Sequence, residues 1–268
     1  MSLTLATQVQ LGMQPQFQEY LAVIFFATLL DYNFHRFWAI HTNPEAARIE
    51  KFKWATERLT QLKILIIISL SGLAASLIFI RVEILFVLIP LAAIPLLYSF
   101  PFPGKRNYKS PLLKISGLKT IMIALVWTAA TVLIPVLQPG NSVKFGPVLL
   151  LLLERFTLIF AIAIPFDIRD MQFDTLSGVK TIPIKFGEDS ALKISTISLL
   201  LALLIAIYHY MDLNMIFILP AYLFSIVSTL IFINNKAFKS LQLYYHGILD
   251  GCILLFGILI CLSFYLPS

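Results

Sequence analysis

Asp167, Asp170 and Asp174 are spaced i, i+3 and i+7, which on a helix places three carboxylates on one face. Like charges so arranged repel, and a free helix gains nothing from them. A divalent cation removes the repulsion. Mg2+ takes one or two carboxylates and completes its shell with phosphate oxygens and water. Downstream, Gly178 allows a turn, Lys180 is a cation compatible with phosphate, and Gly187 can end a short element. The same three acids also fit a solvated helix end that merely marks a loop.

Other ionisable residues stand inside apolar sequence. Glu154 and Arg155 are adjacent, well before the acidic run, and Asp250 lies four residues after His246. Ionisable groups at membrane depth are costly and face a partner or a wet cavity. The expected partner of Arg155 is an acid on another helix. Cavity lining and helix-to-helix adhesion remain open as roles for these residues. Cys252 and Cys261 share one apolar run and are too far apart on a single helix for a disulfide, so they read as small buried hydrophobes.

The elements that position these groups are membrane helices. The chain has 268 residues, 59% hydrophobic and 13% charged, against about 25% charged in soluble domains. Apolar runs fall near 20–41, 62–80, 82–100, 115–137, 145–167, 190–211, 213–233 and 244–266, each long enough to cross a bilayer as a helix. The expected fold is therefore all-α: a polytopic membrane helix bundle of about eight spans in a single domain, 1–268, with 1–18 as an N-terminal tail. Pro90, Pro95, Pro135 and Pro165 are expected to kink or end their helices.

The net charge of +6 is no nucleic-acid signature here. The basic residues gather in loops near 42–61, 101–114, 168–189 and 234–243, all on one side, while the other side has only Arg81 and Lys144. The positive-inside rule then puts these loops in the cytoplasm and both termini outside, in a membrane taken as a bacterial cytoplasmic one. Residues 42–61 read as a surface helix capped near Asn43, with Pro44 at its first turn. The acidic run leaves the fifth span on the cytoplasmic side. A diphosphate can rest there at the surface while its lipid tail lies between helices. A transporter is disfavoured, because no internal repeat is evident and the acids cluster at one surface rather than at the midplane.

The stretch DIRDMQFDTLSGVKTIPIKFG resembles the second aspartate motif of the UbiA superfamily of intramembrane prenyltransferases. It matches D-x-x-D-x-x-x-D and the Gly-Val-Lys-Thr-x-Pro continuation at Asp167, Asp170, Asp174, Gly178, Val179, Lys180, Thr181, Pro183 and Gly187. The segment with Tyr98, Lys105, Arg106 and Lys119 is similar to the family's basic region near the diphosphate. The resemblance implies Mg2+ held by Asp167, Asp170 and Asp174, and a polyprenyl group moved from a prenyl diphosphate to an aromatic or lipid acceptor. Asn33, Arg36, Tyr98, Lys105, Arg106, Lys119, Arg169 and Lys180 would contact substrate. The implied partners are the prenyl diphosphate, a hydrophobic acceptor and membrane lipid. Two features depart from the family. Its members have nine spans, one more than expected here. Its first motif, approximately N-x-x-x-D-x-x-x-D, falls on Asn33, Phe37 and His41; in a Tyr-Asn-x-Asp-Arg frame, Tyr32, Asn33 and Arg36 match and His35 replaces the acid. Only Asp31 is acidic nearby. A catalytically degenerate member that binds lipid or a protein partner is thus the alternative reading.

Overall fold

The structure, a computed structural model, describes residues 1–42, 52–99, 115–138, 144–241 and 243–265, with side chains of 95–99 excepted. In chain order its α-helices are α1 (Ser2–Gln10), α2 (Glu19–Thr42), α3 (Lys53–Glu57), α4 (Leu59–Leu77), α5 (Val82–Ser99), α6 (Leu118–Val136), α7 (Phe145–Arg169), α8 (Met171–Leu176), α9 (Ile182–Phe186), α10 (Glu188–Asp212), α11 (Leu219–Asn234), α12 (Lys236–Lys239) and α13 (Asp250–Ser263). A 3-10 turn, Ile216–Ile218, leads into α11, and a π-helical turn, Tyr244–Leu249, leads into α13. No strand occurs among the described residues.

Every expected span contains a helix. By length and composition, six stretches of the described residues are apolar enough to cross a membrane: Leu59–Leu77, Leu118–Val136, Phe145–Arg169, Glu188–Asp212, Ile216–Asn234 and Tyr244–Ser263. Of the other two, α2 carries Asp31, Asn33, His35 and Arg36 in its second half, and the part of α5 whose side chains are described, Val82–Ile94, is apolar. Pro135 and Pro165 are accommodated inside α6 and α7, each near the C-terminal end of its helix. The expected surface helix at 42–61 is present as α3 in its second half; residues 43–51 lie outside the described residues.

The chain divides into two compact units. The first holds Met1 and Phe17–Leu85, the second Ser2–Gln16 and Phe86–Ser268. In the first, α2 packs along α4, and Gly72 leaves room for the Phe26 ring against the helix backbone.

In the second unit α7 is the central helix, packed on α10 and α6. Its buried Ala161 and the buried Ala202 and Ala206 of α10 are small side chains of the kind that let membrane helices approach closely. The hydroxyl of Ser195 on α10 donates to the carbonyl of Ala161 at 2.6 Å. Tyr222 and Ile226 of α11 and Phe256 and Ile260 of α13 extend this core.

The N-terminal residues, expected as a tail, instead contribute α1 to this unit. Leu3, Ala6 and Val9 are buried in its core, and α1 packs on α13 and α6. The approach to α13 is made at Gly257. A Cβ built there would lie 2.6 Å from the carbonyl carbon of Ser2 and 2.7 Å from its oxygen, and backbone cannot step aside as a side chain can. Gly257→Ala is therefore expected to lower stability by about 1–3 kcal/mol, the usual range for overpacking. Gly251→Ala in the same helix, with nothing within 4 Å, should leave the thermal unfolding midpoint in detergent unchanged or slightly higher.

Candidate functional site

The sequence makes the acidic run a single helical face, but the structure divides it. α7 ends at Arg169, Asp170 is its C-cap with φ −87° and ψ 1°, and α8 begins at Met171. The break is one residue wide, because Asp170 N–H still donates to Phe166 at 2.9 Å and Asp174 N–H to Asp170 at 2.8 Å. α8 closes where Gly178 turns at φ 69°, and Val179 N–H returns to the Asp174 carbonyl at 2.8 Å.

Opposite stands the start of α6. Gly117 caps that helix with φ 79°, a backbone state that favours glycine. Its N–H donates to the Lys180 carbonyl at 3.0 Å, and the Ser116 hydroxyl donates to the Thr181 carbonyl at 3.3 Å. These two bonds tie the segment after α8 to the first turn of α6. They bring Lys119 and Thr120 to the carboxylates.

All three acids are buried: Asp167 is 3% exposed, Asp170 7% and Asp174 2%. The Lys119 ammonium lies between two of them, Nζ being 2.7 Å from Asp174 Oδ2 and 3.2 Å from Asp167 Oδ1. The Thr120 hydroxyl donates to the other Asp167 oxygen. Asp170 turns elsewhere. Its oxygens accept from Arg169 Nε at 2.8 Å and Nη2 at 3.3 Å. The same guanidinium lies 5.0 Å from the Phe166 ring centre and 5.3 Å from that of Tyr245, within cation–π range. Burial raises the Asp174 pKa above its ordinary value. The Lys119 ammonium opposes that rise, and the Asp167 and Asp170 carboxylates add to it.

The remaining expected substrate contacts are placed as follows. Lys180 is exposed and lines an open hollow of about 360 Å³ with Ser116, Ile184 and Lys185. Tyr98 lies in α5 with its side chain outside the described residues, as do Lys105 and Arg106 altogether. In the first unit Asn33 is buried, and its amide donates to the Leu29 carbonyl of its own helix at 2.7 Å. Arg36 donates to the Tyr32 hydroxyl at 2.7 Å and lies 4.1 Å from that ring. His35 pairs with Asp31 at 3.2 Å, one turn apart.

The donor set decides what metal the site suits. Among the described residues no group of three or more His, Cys, Asp or Glu side chains is placed to hold a metal ion. Two carboxylates do converge on a single cation position, the one occupied by the Lys119 ammonium. Two carboxylates with phosphate oxygens and water are the usual set for Mg2+. The residues therefore fit a metal held jointly with a diphosphate better than a metal held by protein alone.

A second polar cluster lies deep in the span, where the sequence points to Glu154 and Arg155 but not to Gln10, His209 and Tyr210, which complete it. Arg155 and Glu154 are fully buried. The partner of Arg155 is no acid on another helix but α1: Nη2 donates to Gln10 Oε1 at 2.5 Å and Nη1 to the Leu3 carbonyl at 2.9 Å, with Thr131 at 3.3 Å. Gln10 in turn donates to Glu154 Oε1 at 2.6 Å. Glu154 also accepts from the Tyr210 hydroxyl at 2.6 Å and stands 3.3 Å from His209 Nδ1. The cluster joins α1, α6, α7 and α10, which assigns these residues to helix adhesion. Asp250 and His246 approach only to 3.9 Å, with both side chains about half exposed.

A helical protein built to lie in a bilayer, with buried acids and an ammonium where one span ends, belongs to the integral membrane proteins. The model of the UbiA prenyltransferase family matches residues 53–245, and the chain is a member of that family. Its fold is similar to the apo structure of a UbiA homolog from Aeropyrum pernix K1, with a TM-score of 0.62 and 17% identity, covering 98% of this chain and 95% of the other. At that identity the likeness bears on the fold alone. No curated protein matches the chain in sequence.

Proposed function

We propose that this protein transfers a polyprenyl group from a prenyl diphosphate to a hydrophobic acceptor, an aromatic ring or a lipid. The observation that carries the reading is the convergence of Asp167 and Asp174 on one cation position at the end of α7, in a chain of this family. In the orientation read from the loop charges, that end faces the cytoplasm.

Asp167 and Asp174 would hold Mg2+, which when bound neutralises charge on a leaving diphosphate. Thr120 keeps Asp167 oriented through its hydroxyl. Lys119 supplies a positive charge beside the diphosphate position, and Arg169, held over Phe166 and Tyr245, a second. Asp170 orients Arg169 rather than the metal. Lys180, exposed beside the tie to α6, meets the outer part of the anion. The allylic cation would need a dry surround, since water would quench it.

A purified preparation in detergent, given prenyl diphosphates from geranyl to long-chain polyprenyl with a membrane lipid extract as acceptor, is expected to release diphosphate only with Mg2+ and to stop on chelation. Absence of release with every donor would overturn this reading in favour of a binding protein on the same fold. The first-motif segment favours that second reading, since Asn33 bonds to its own helix and Asp31 is engaged by His35.

A further inference from the structure

Lys119 holds the two carboxylates that a metal would need. We propose that it is a resident counter-ion, displaced only when metal and diphosphate arrive together, so that the site takes up the pair and discriminates against the metal alone. The proposal rests on the prenyltransferase reading and concerns how that site is loaded.

The argument is one of space and charge. The ammonium is within 3.2 Å of both Asp167 and Asp174, and the side chains are only 15%, 4% and 3% exposed in the order Lys119, Asp167, Asp174. Shielded from water, this attraction is much stronger than that of a surface pair. A divalent ion that takes the same two oxygens must expel the ammonium from between them. An ammonium expelled with no new anion gives up both carboxylates while still partly buried, which is costly. The diphosphate removes that cost, because one anion can meet the metal and the displaced ammonium at once. An anion arriving alone meets carboxylates already neutralised by only one positive charge and gains little.

The surroundings suit such an exchange. Thr120 holds the second oxygen of Asp167, so that carboxylate keeps its place while Lys119 moves. Lys119 lies in the first turn of α6, whose N-terminal end favours an anion. Its four-carbon stem lets the ammonium shift without moving the helix. Asp170 is engaged by Arg169.

The test uses the full chain in detergent with MgCl2 and inorganic pyrophosphate as probes, read by thermal unfolding and by calorimetric titration at matched free Mg2+. In the natural protein, pyrophosphate is expected to lower the Mg2+ midpoint by about tenfold or more, within the usual range of coupling between sites. In Lys119→Gln, Mg2+ alone should bind with a midpoint about tenfold lower than in the natural protein, and added pyrophosphate should shift it less. Lys119→Arg should keep the natural order. A Lys119→Gln midpoint for Mg2+ equal to or above the natural one overturns the counter-ion role while leaving the prenyltransferase reading in place. If that variant does not fold, independent binding of the two probes to the natural protein overturns it instead. No response of any of these proteins to Mg2+ with pyrophosphate removes the proposal and the reading beneath it together.

Discussion

Asp167→Asn and Asp174→Asn should each lower prenyl transfer by about 10²- to 10³-fold, the loss seen when one preorganised electrostatic contact to a developing charge is removed. Asp170→Asn should cost less, no more than about tenfold, because Asp170 is bonded to Arg169 and not to the cation position shared by Asp167 and Asp174. The motif by itself predicts three equal losses. The structure predicts unequal ones, since two acids share the Lys119 position and the third is paired with Arg169. Steady-state rates at saturating Mg2+, with thermal midpoints measured alongside, check the order. Unfolding data matter because Asn at 167 or 174 also leaves Lys119 short of a buried counter-charge, a stability loss separate from catalysis. If Asp170→Asn falls as far as the other two with its fold intact, the assignment of Asp170 to Arg169 is wrong for the working state.

The acidic run was legible as a group because charge repulsion along one edge needs a reason, and the reason is local. Its division was not legible. Which carboxylate meets which cation depends on the cap at Asp170 and on the register of α6, fixed by the Gly117–Lys180 and Ser116–Thr181 bonds across sixty residues or so of sequence. Lys119 was readable as a cation near a diphosphate, not as the present partner of both acids. The apolar runs announced α2, α4, α5, α6, α7, α10, α11 and α13 because lipid leaves the backbone no other choice. α1 gave no such signal. SLTLATQVQ has no apolar run, and its Thr4, Thr7, Gln8 and Gln10 are buried. One clue did exist: a buried Arg155 and Glu154 require polar partners, and a short amide- and hydroxyl-rich segment elsewhere in the chain can supply them. Sequence alone does not say that the two meet.

Arg155→Met is expected to destabilise the protein by about 3–5 kcal/mol, the cost of removing one member of a buried charged cluster. The loss should appear as a lower unfolding midpoint and a smaller folded yield in detergent, without any direct claim on the metal site. The reason lies in what Arg155 holds. Its guanidinium reaches Gln10 and the Leu3 carbonyl on α1, while Gln10 passes the connection to Glu154 and Tyr210. Removing the guanidinium leaves a buried carboxylate with less compensation and frees two points at which α1 is held. Gln10→Leu cuts the same bridge from the other end. The two substitutions together should therefore cost less than their sum, by about 0.5–3 kcal/mol, as residues sharing one hydrogen-bond network do. Additive losses would mean that Arg155 and Gln10 stabilise the fold separately and that α1 is held by its apolar face alone. Glu154→Gln supplies the remaining check, since it keeps the shape and the acceptor oxygen but removes the charge. If the cluster works by pairing Glu154 with Arg155 through Gln10, this variant should weaken the fold even when its remaining oxygen still accepts from Gln10 and Tyr210.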